Sequence, residues 1–273
     1  MAKIKDFDRH TYHEKVKHYQ AAVELLLKNE KNTLLEIKDN PDEAALKRLK
    51  LVDEMLNLAS YYIAIHGVSQ IVIKIKNEES LNEARKSLYK AVIYLEEIVT
   101  NFIDAAFSEY EEKLSEIEIF DPTQRYNLIR KMGLAIDILE QAYGDNSKWR
   151  WSFVELEGRY AAAAKNIIDL RNVMENSRPT SPNYEATVYH TRLIKKLLQQ
   201  SADRYREKYE LSSGQQHDFK TGLAFLAALK RIYTVLNDRN EAEEVKKKLT
   251  IWNTKFEADM KKQEETKKKN AKA

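Results

Sequence analysis

The 273-residue chain has no cysteine, only 6 glycines and only 4 prolines. Without cysteine there can be no disulfide, no thiolate metal site and no cysteine nucleophile. So few turn-forming residues exclude a strand-rich fold with many tight hairpins. No apolar run approaches the roughly 18 residues that a membrane span requires. Residues 1–10 are polar and carry no secretory h-region. The expectation is therefore a cytoplasmic protein, or a periplasmic one if this is a mature chain whose signal has been removed. Gly-x-Ser-x-Gly is missing, and no two glycines stand close enough to form a phosphate-cradling loop.

What is present is helical rhythm. Hydrophobic residues make up 43% and charged residues 33%, a balance that suits a folded and highly charged chain. Trp149, Phe153, Leu156, Tyr160, Ala163, Ile167, Leu170 and Met174 alternate spacings of 4 and 3, a heptad-like seam on one long helix. The same rhythm recurs along most of the chain. It predicts an all-α, elongated protein of about eight long antiparallel helices in hairpins and bundles.

Start and stop signals divide these helices. Asn40-Pro41 and Asp121-Pro122 place a cap before a proline at the first helical position. The first helix is expected over residues 6–37, and the second from Pro41 to the His66-Gly67 pair. Ile71, Ile73 and Ile75 then alternate with lysines, which predicts an extended or frayed connector over residues 69–76. Ser80 and Glu83 form a capping box for a third helix reaching Ile119, a rod roughly 55–60 Å long. Residues 176–183 are the clearest linker. The domains expected are 1–175, a long-helix bundle with a projecting rod, and 184–260, a second bundle. Residues 261–273 are expected to be a disordered Lys/Glu-rich tail.

The formal net charge of +3 lies in that tail, where residues 259–273 hold six lysines and three acids. The body is neutral, so no basic groove for nucleic acid is expected. His10, His13 and His18 cluster on the first helix, but Lys17 stands where a zincin would need its second histidine. No glutamate has a histidine three residues on, which excludes the helical di-iron pattern. Carboxylate pairs such as Glu96-Glu97 and Glu111-Glu112 read as solvated charge. The expectation is no enzyme, no cofactor, no metal site and no catalytic residue.

The aromatic residues point toward partners. Trp149 and Trp151 lie about 200° apart around a helix, so both cannot face one core. Tyr61 with Tyr62, and Tyr184 with Tyr189, pose the same problem. These six, Trp151, Trp149, Tyr61, Tyr62, Tyr184 and Tyr189, are the candidate partner-binding residues, since half-exposed Trp and Tyr anchor protein interfaces. The alternative is burial between two layers of helices.

The opening Phe7-Asp-Arg-His-Thr-Tyr-His-Glu-Lys-Val-Lys-His-Tyr-Gln20, with Leu81-Asn-Glu-Ala-Arg-Lys-Ser-Leu-Tyr-Lys90, resembles the flagellar-coiling sheath proteins of spirochaetes. The resemblance implies a periplasmic helical coat protein that affects filament curvature and motility, works in an oligomeric assembly and binds filament or sheath subunits. It carries over no functional residue. The function expected is a structural or interaction subunit of a larger assembly. The alternative is a cytosolic, tetratricopeptide-like helical adaptor that holds peptide partners.

Overall fold

The computed structural model describes residues 6–144 and 147–270, the side chains of residues 263 and 266–270 excepted. Among the described residues there are ten α-helices and no strand, and eight of the helices have seven or more residues. They are α1 (Asp6–Asp39), α2 (Ala44–Val72), α3 (Glu78–Ile98), α4 (Glu111–Ser115), α5 (Pro122–Tyr143), α6 (Arg150–Asn166), α7 (Val173–Asn176), α8 (Tyr184–Lys208), α9 (Gln216–Val235) and α10 (Arg239–Asn270). The chain forms two compact units. One comprises the residues up to Asn101 together with Phe107–Asp169, and the other Phe102–Ala106 together with everything from Leu170 onward. The 176–183 linker thus lies inside the second unit.

In the first unit α2 is the central helix, packed against α1, α3 and α5. Its sequence explains this: Leu49, Leu51, Val52, Met55, Leu56, Leu58 and Ala59 are all buried, so it is apolar around most of its circumference. α1 buries one stripe, Val16, Val23 and Ile37, and leaves its other face in solvent. α5 begins with a full capping box, in which Asp121 accepts from the Gln124 N–H and the Gln124 side chain accepts from the Asp121 N–H. It ends at Gly144, where φ is 83°.

Several expectations from sequence are corrected. α2 does not stop at His66-Gly67 but runs to Val72, because His66 is buried against the next helix. The connector is only residues 73–77, and the alternating isoleucines are largely solvent-facing, with Ile71 73% exposed. α3 is capped by Asn77, whose side chain accepts from the Ser80 N–H, so Ser80 is not the cap. The third helix does not run on to Ile119, since α3 ends at Ile98. After the break the chain folds back to bury Tyr110, Leu114 and Ile117, and the Asn166 amide takes up the freed Thr100 carbonyl at 2.8 Å. The Trp149 seam ends at Ile167, and Met174 is 54% exposed. α10 continues as helix to Asn270, beyond the apolar stripe, through a segment rich in strong helix formers. Residues 271–273 of the expected tail lie outside the described residues.

The second unit is built on α8, α9 and α10. α8 passes into α9 through a π turn, Tyr209–Ser213, and Gly214 at φ 56°. Buried Asp218 accepts from Ser213 at 2.5 Å and from Lys208 at 2.9 Å, which fixes that turn. Phe219 packs edge-on to Tyr209 and face-on to Phe256, and Trp252 is buried beside it. Arg231 of α9 binds Asp104 at 2.8 Å, which holds the short excursion at residues 102–106 within this unit.

Candidate functional site: a cationic aromatic cleft

α3 presents Asn82, Arg85, Tyr89 and Glu96 along one stripe, at helical spacings of 3, 4 and 7. The stripe meets α6 and the end of α5. Asn82 accepts from the Tyr143 hydroxyl at 3.0 Å. The Arg85 guanidinium stacks over the Trp149 indole at 4.1 Å. Tyr89 donates to the Ser152 carbonyl at 2.9 Å, and Arg159 clasps the Glu96 carboxylate with both arms. An apolar seam would tolerate sliding. This polar ladder fixes register and locks the Trp149 end of α6 against α3.

At that end a cleft of about 490 Å³ opens, lined by Lys76, Glu78, Tyr143, Gly144, Ser147, Lys148 and Trp149. Lys76 donates to the Tyr143 carbonyl at 2.8 Å and so caps the C-terminus of α5. Its ammonium lies 5.6 Å from the Tyr143 ring centre, and Lys148 lies 5.5 Å from the Trp149 ring centre. Tyr143 and Trp149 meet edge to face at 6.4 Å. The first turn of α3 enters the lining at Glu78. Ser147, whose hydroxyl accepts from the Trp149 N–H, brings in the start of α6. The lining therefore draws on the first turn of α3, the C-terminal end of α5 and the segment leading into α6.

The electrostatics follow from burial. Burial pushes the Tyr143 phenol up, and the Arg85 charge opposes it. Burial also raises Tyr89. Arg85 Nε is buried without a hydrogen-bond partner, so its charge faces Trp149 with one donor unspent. The lining carries two lysines against one glutamate, with Arg85 behind the indole.

Of the six aromatic candidates, only Trp149 stands in this cleft. Trp151 is half-buried beneath Arg150, 4.9 Å from its ring centre. Tyr61 tilts against Tyr19 of α1, and Tyr62 sits near Glu79 and Glu83 of α3, so both fill grooves beside α2. Tyr184 and Tyr189 belong to the other unit, at the start of α8, with Tyr189 49% exposed near Arg192. His10, His13 and His18 are exposed, and among the described residues no three potential metal ligands gather. Sequence reasoning missed Lys76, Arg85 and Lys148. The run Lys148-Trp149-Arg150-Trp151 offered one signal, a tryptophan flanked by cations. Nothing local marks Lys76 or Arg85 as its neighbours.

No helix among the described residues is long and apolar enough to cross a membrane. No curated protein and no solved structure matches the chain. Residues 8–260, from the first turns of α1 through the last packed turn of α10, match the TP0443 family, and the chain belongs to that family.

Proposed function

We propose that this chain is a non-enzymatic interaction protein that docks a protein partner through the Trp149 cleft. The observation that carries the reading is Trp149 itself: a half-buried indole within 4.1 Å of Arg85 and 5.5 Å of Lys148, beside Tyr143, in an open concavity. A rigidly held aromatic with a polar rim is the usual anchor of a protein interface. The polar ladder beneath it holds that anchor still before any partner arrives, which lowers the ordering cost of binding.

The resemblance to flagellar-coiling proteins supplies the kind of assembly: a filament coat in which this chain is one oligomerising subunit. The test is co-sedimentation with purified periplasmic flagellar filaments of a spirochaete. The wild-type chain is expected to pellet with the filaments, and Trp149→Ala to stay in the supernatant while Trp151→Ala still pellets. A soluble wild-type chain rejects the coat reading.

The volume of the cleft favours a second reading, the adaptor. About 490 Å³ is the scale of a pocket for a few side chains of a peptide. An adaptor binds a short segment with no filament present, so titration of soluble peptides separates the two.

A further inference from the structure

We infer that the cleft recognises carboxylate side chains of an acidic peptide segment; this rests on the docking function proposed for Trp149. The lining residues Lys76 and Lys148 carry two positive charges against the single carboxylate of Glu78, and Arg85 adds a third behind the indole. Lys76 uses one of its ammonium donors on the Tyr143 carbonyl and has two more. An incoming anion therefore meets two lysines, while an incoming cation meets Glu78 and the C-terminal end of α5, whose Tyr143 carbonyl Lys76 already caps.

The kind of cation selects among anions. Phosphate recognition favours the planar fork of a guanidinium, whereas the cations lining this cleft are the point-charge ammonium groups of Lys76 and Lys148. Nucleic acid would need a continuous track of cations, and these are gathered at one cleft. Trp149 and Tyr143 supply apolar surface for the residues between the acids. The recognised pattern is therefore acidic side chains interleaved with apolar ones.

The experiment uses the full chain and a fluorescein-labelled octapeptide of alternating Glu and Leu, read by anisotropy at low salt. Binding is expected, with affinity at least tenfold lower for the matching Gln/Leu peptide and for Lys148→Glu. Lys148 is exposed, so this variant is expected to keep the wild-type circular dichroism. The Trp149 indole N–H resonance, assigned by its loss in Trp149→Phe, should shift on titration. Equal binding of the Gln peptide, indifference to Lys148→Glu, or a tenfold preference for a phosphoserine version of the peptide would each overturn the carboxylate assignment. If the Glu peptide fails while Trp149→Ala still abolishes filament association, docking stands and only the ligand chemistry falls. If Trp149→Ala leaves filament association intact yet weakens peptide binding, the filament docks elsewhere than the Trp149 cleft and the ligand assignment holds.

Discussion

The Tyr160 hydroxyl fills the space a β-carbon on Gly133 would occupy. It would lie 2.6 Å from that carbon, and it donates to the Ile129 carbonyl at 3.0 Å. Tyr160 is almost fully buried in α6, and burial pushes its phenol well above the usual tyrosine range. One glycine in α5 thus admits one hydroxyl from α6, and the two helices close over it.

Gly133→Ala is therefore expected to destabilise the first unit by about 1–3 kcal/mol, despite the roughly 1 kcal/mol that alanine gains in helix propensity. Adding Tyr160→Phe removes the colliding oxygen. The double variant should be more stable than the sum of the singles, which urea unfolding of the four proteins would measure. Strict additivity would mean that the hydroxyl is not what excludes a side chain at residue 133.

Arg125 gives a second prediction. It is buried and donates to three carbonyls, Phe120 at 2.6 Å, Ile117 at 2.9 Å and Ile167 at 3.2 Å. One guanidinium thereby closes the turn after α4 and the end of α6. Arg125→Met strands buried acceptors and should cost about 3 kcal/mol. Arg125→Lys should recover little, because a point ammonium cannot reproduce the planar fork. Hydrogen exchange should quicken first around residues 114–121. Full rescue by lysine would contradict this account.

The turns and caps at Asp121 and Gly144 could be read from sequence because their signals are local. The end of α3 could not. The apolar spacing runs on through Phe102, yet Phe102 is 66% exposed and belongs with the other unit. What stops the helix is the gain from burying Tyr110, Leu114 and Ile117 and from the Asn166 bond, and neither is visible in a periodicity. The cleft shows the same limit. Trp149 stood out by composition, but Lys76 and Arg85 reach it only after α2, α3 and α5 have packed. Helix class is a property of short windows, whereas a site is a property of contacts between distant ones.

His66 makes the stability pH-dependent. It is buried, and its Nδ1 accepts from the Asn77 N–H at 3.2 Å, so the imidazole proton sits on Nε2. Burial first, and the Lys76 charge nearby, hold the group below its usual value of 6.5. The unfolded chain therefore binds this proton more readily than the folded one. The contribution is fully present above pH 6.5 and is lost as pH falls through the lower folded value. Burial raises Glu54 above its usual value, which acts in the opposite sense, so the comparison must be with a variant. The difference in urea midpoint between pH 7.5 and pH 5.0 should be smaller for His66→Gln than for the wild type. An equal difference would remove His66 as its source.

Two glycines inside helices should respond oppositely to alanine. Gly222 of α9 lies at the α8–α10 junction, where a β-carbon would come within 3.1 Å of the Ala202 carbonyl oxygen and 3.5 Å of the Trp252 ring. The nearer atom is backbone within a packed helix and cannot swing away. Gly222→Ala should force α8 and α9 apart and lower stability by about 1–3 kcal/mol. Gly67 of α2 has nothing within 4 Å of the same position. Gly67→Ala should raise stability by about 0.5–1 kcal/mol, since alanine restricts the unfolded chain and meets no obstacle in the folded one. Thermal unfolding of both variants checks the pair. If Gly222→Ala proved as stabilising as Gly67→Ala, close approach of α8 and α9 could not be the reason for glycine at residue 222.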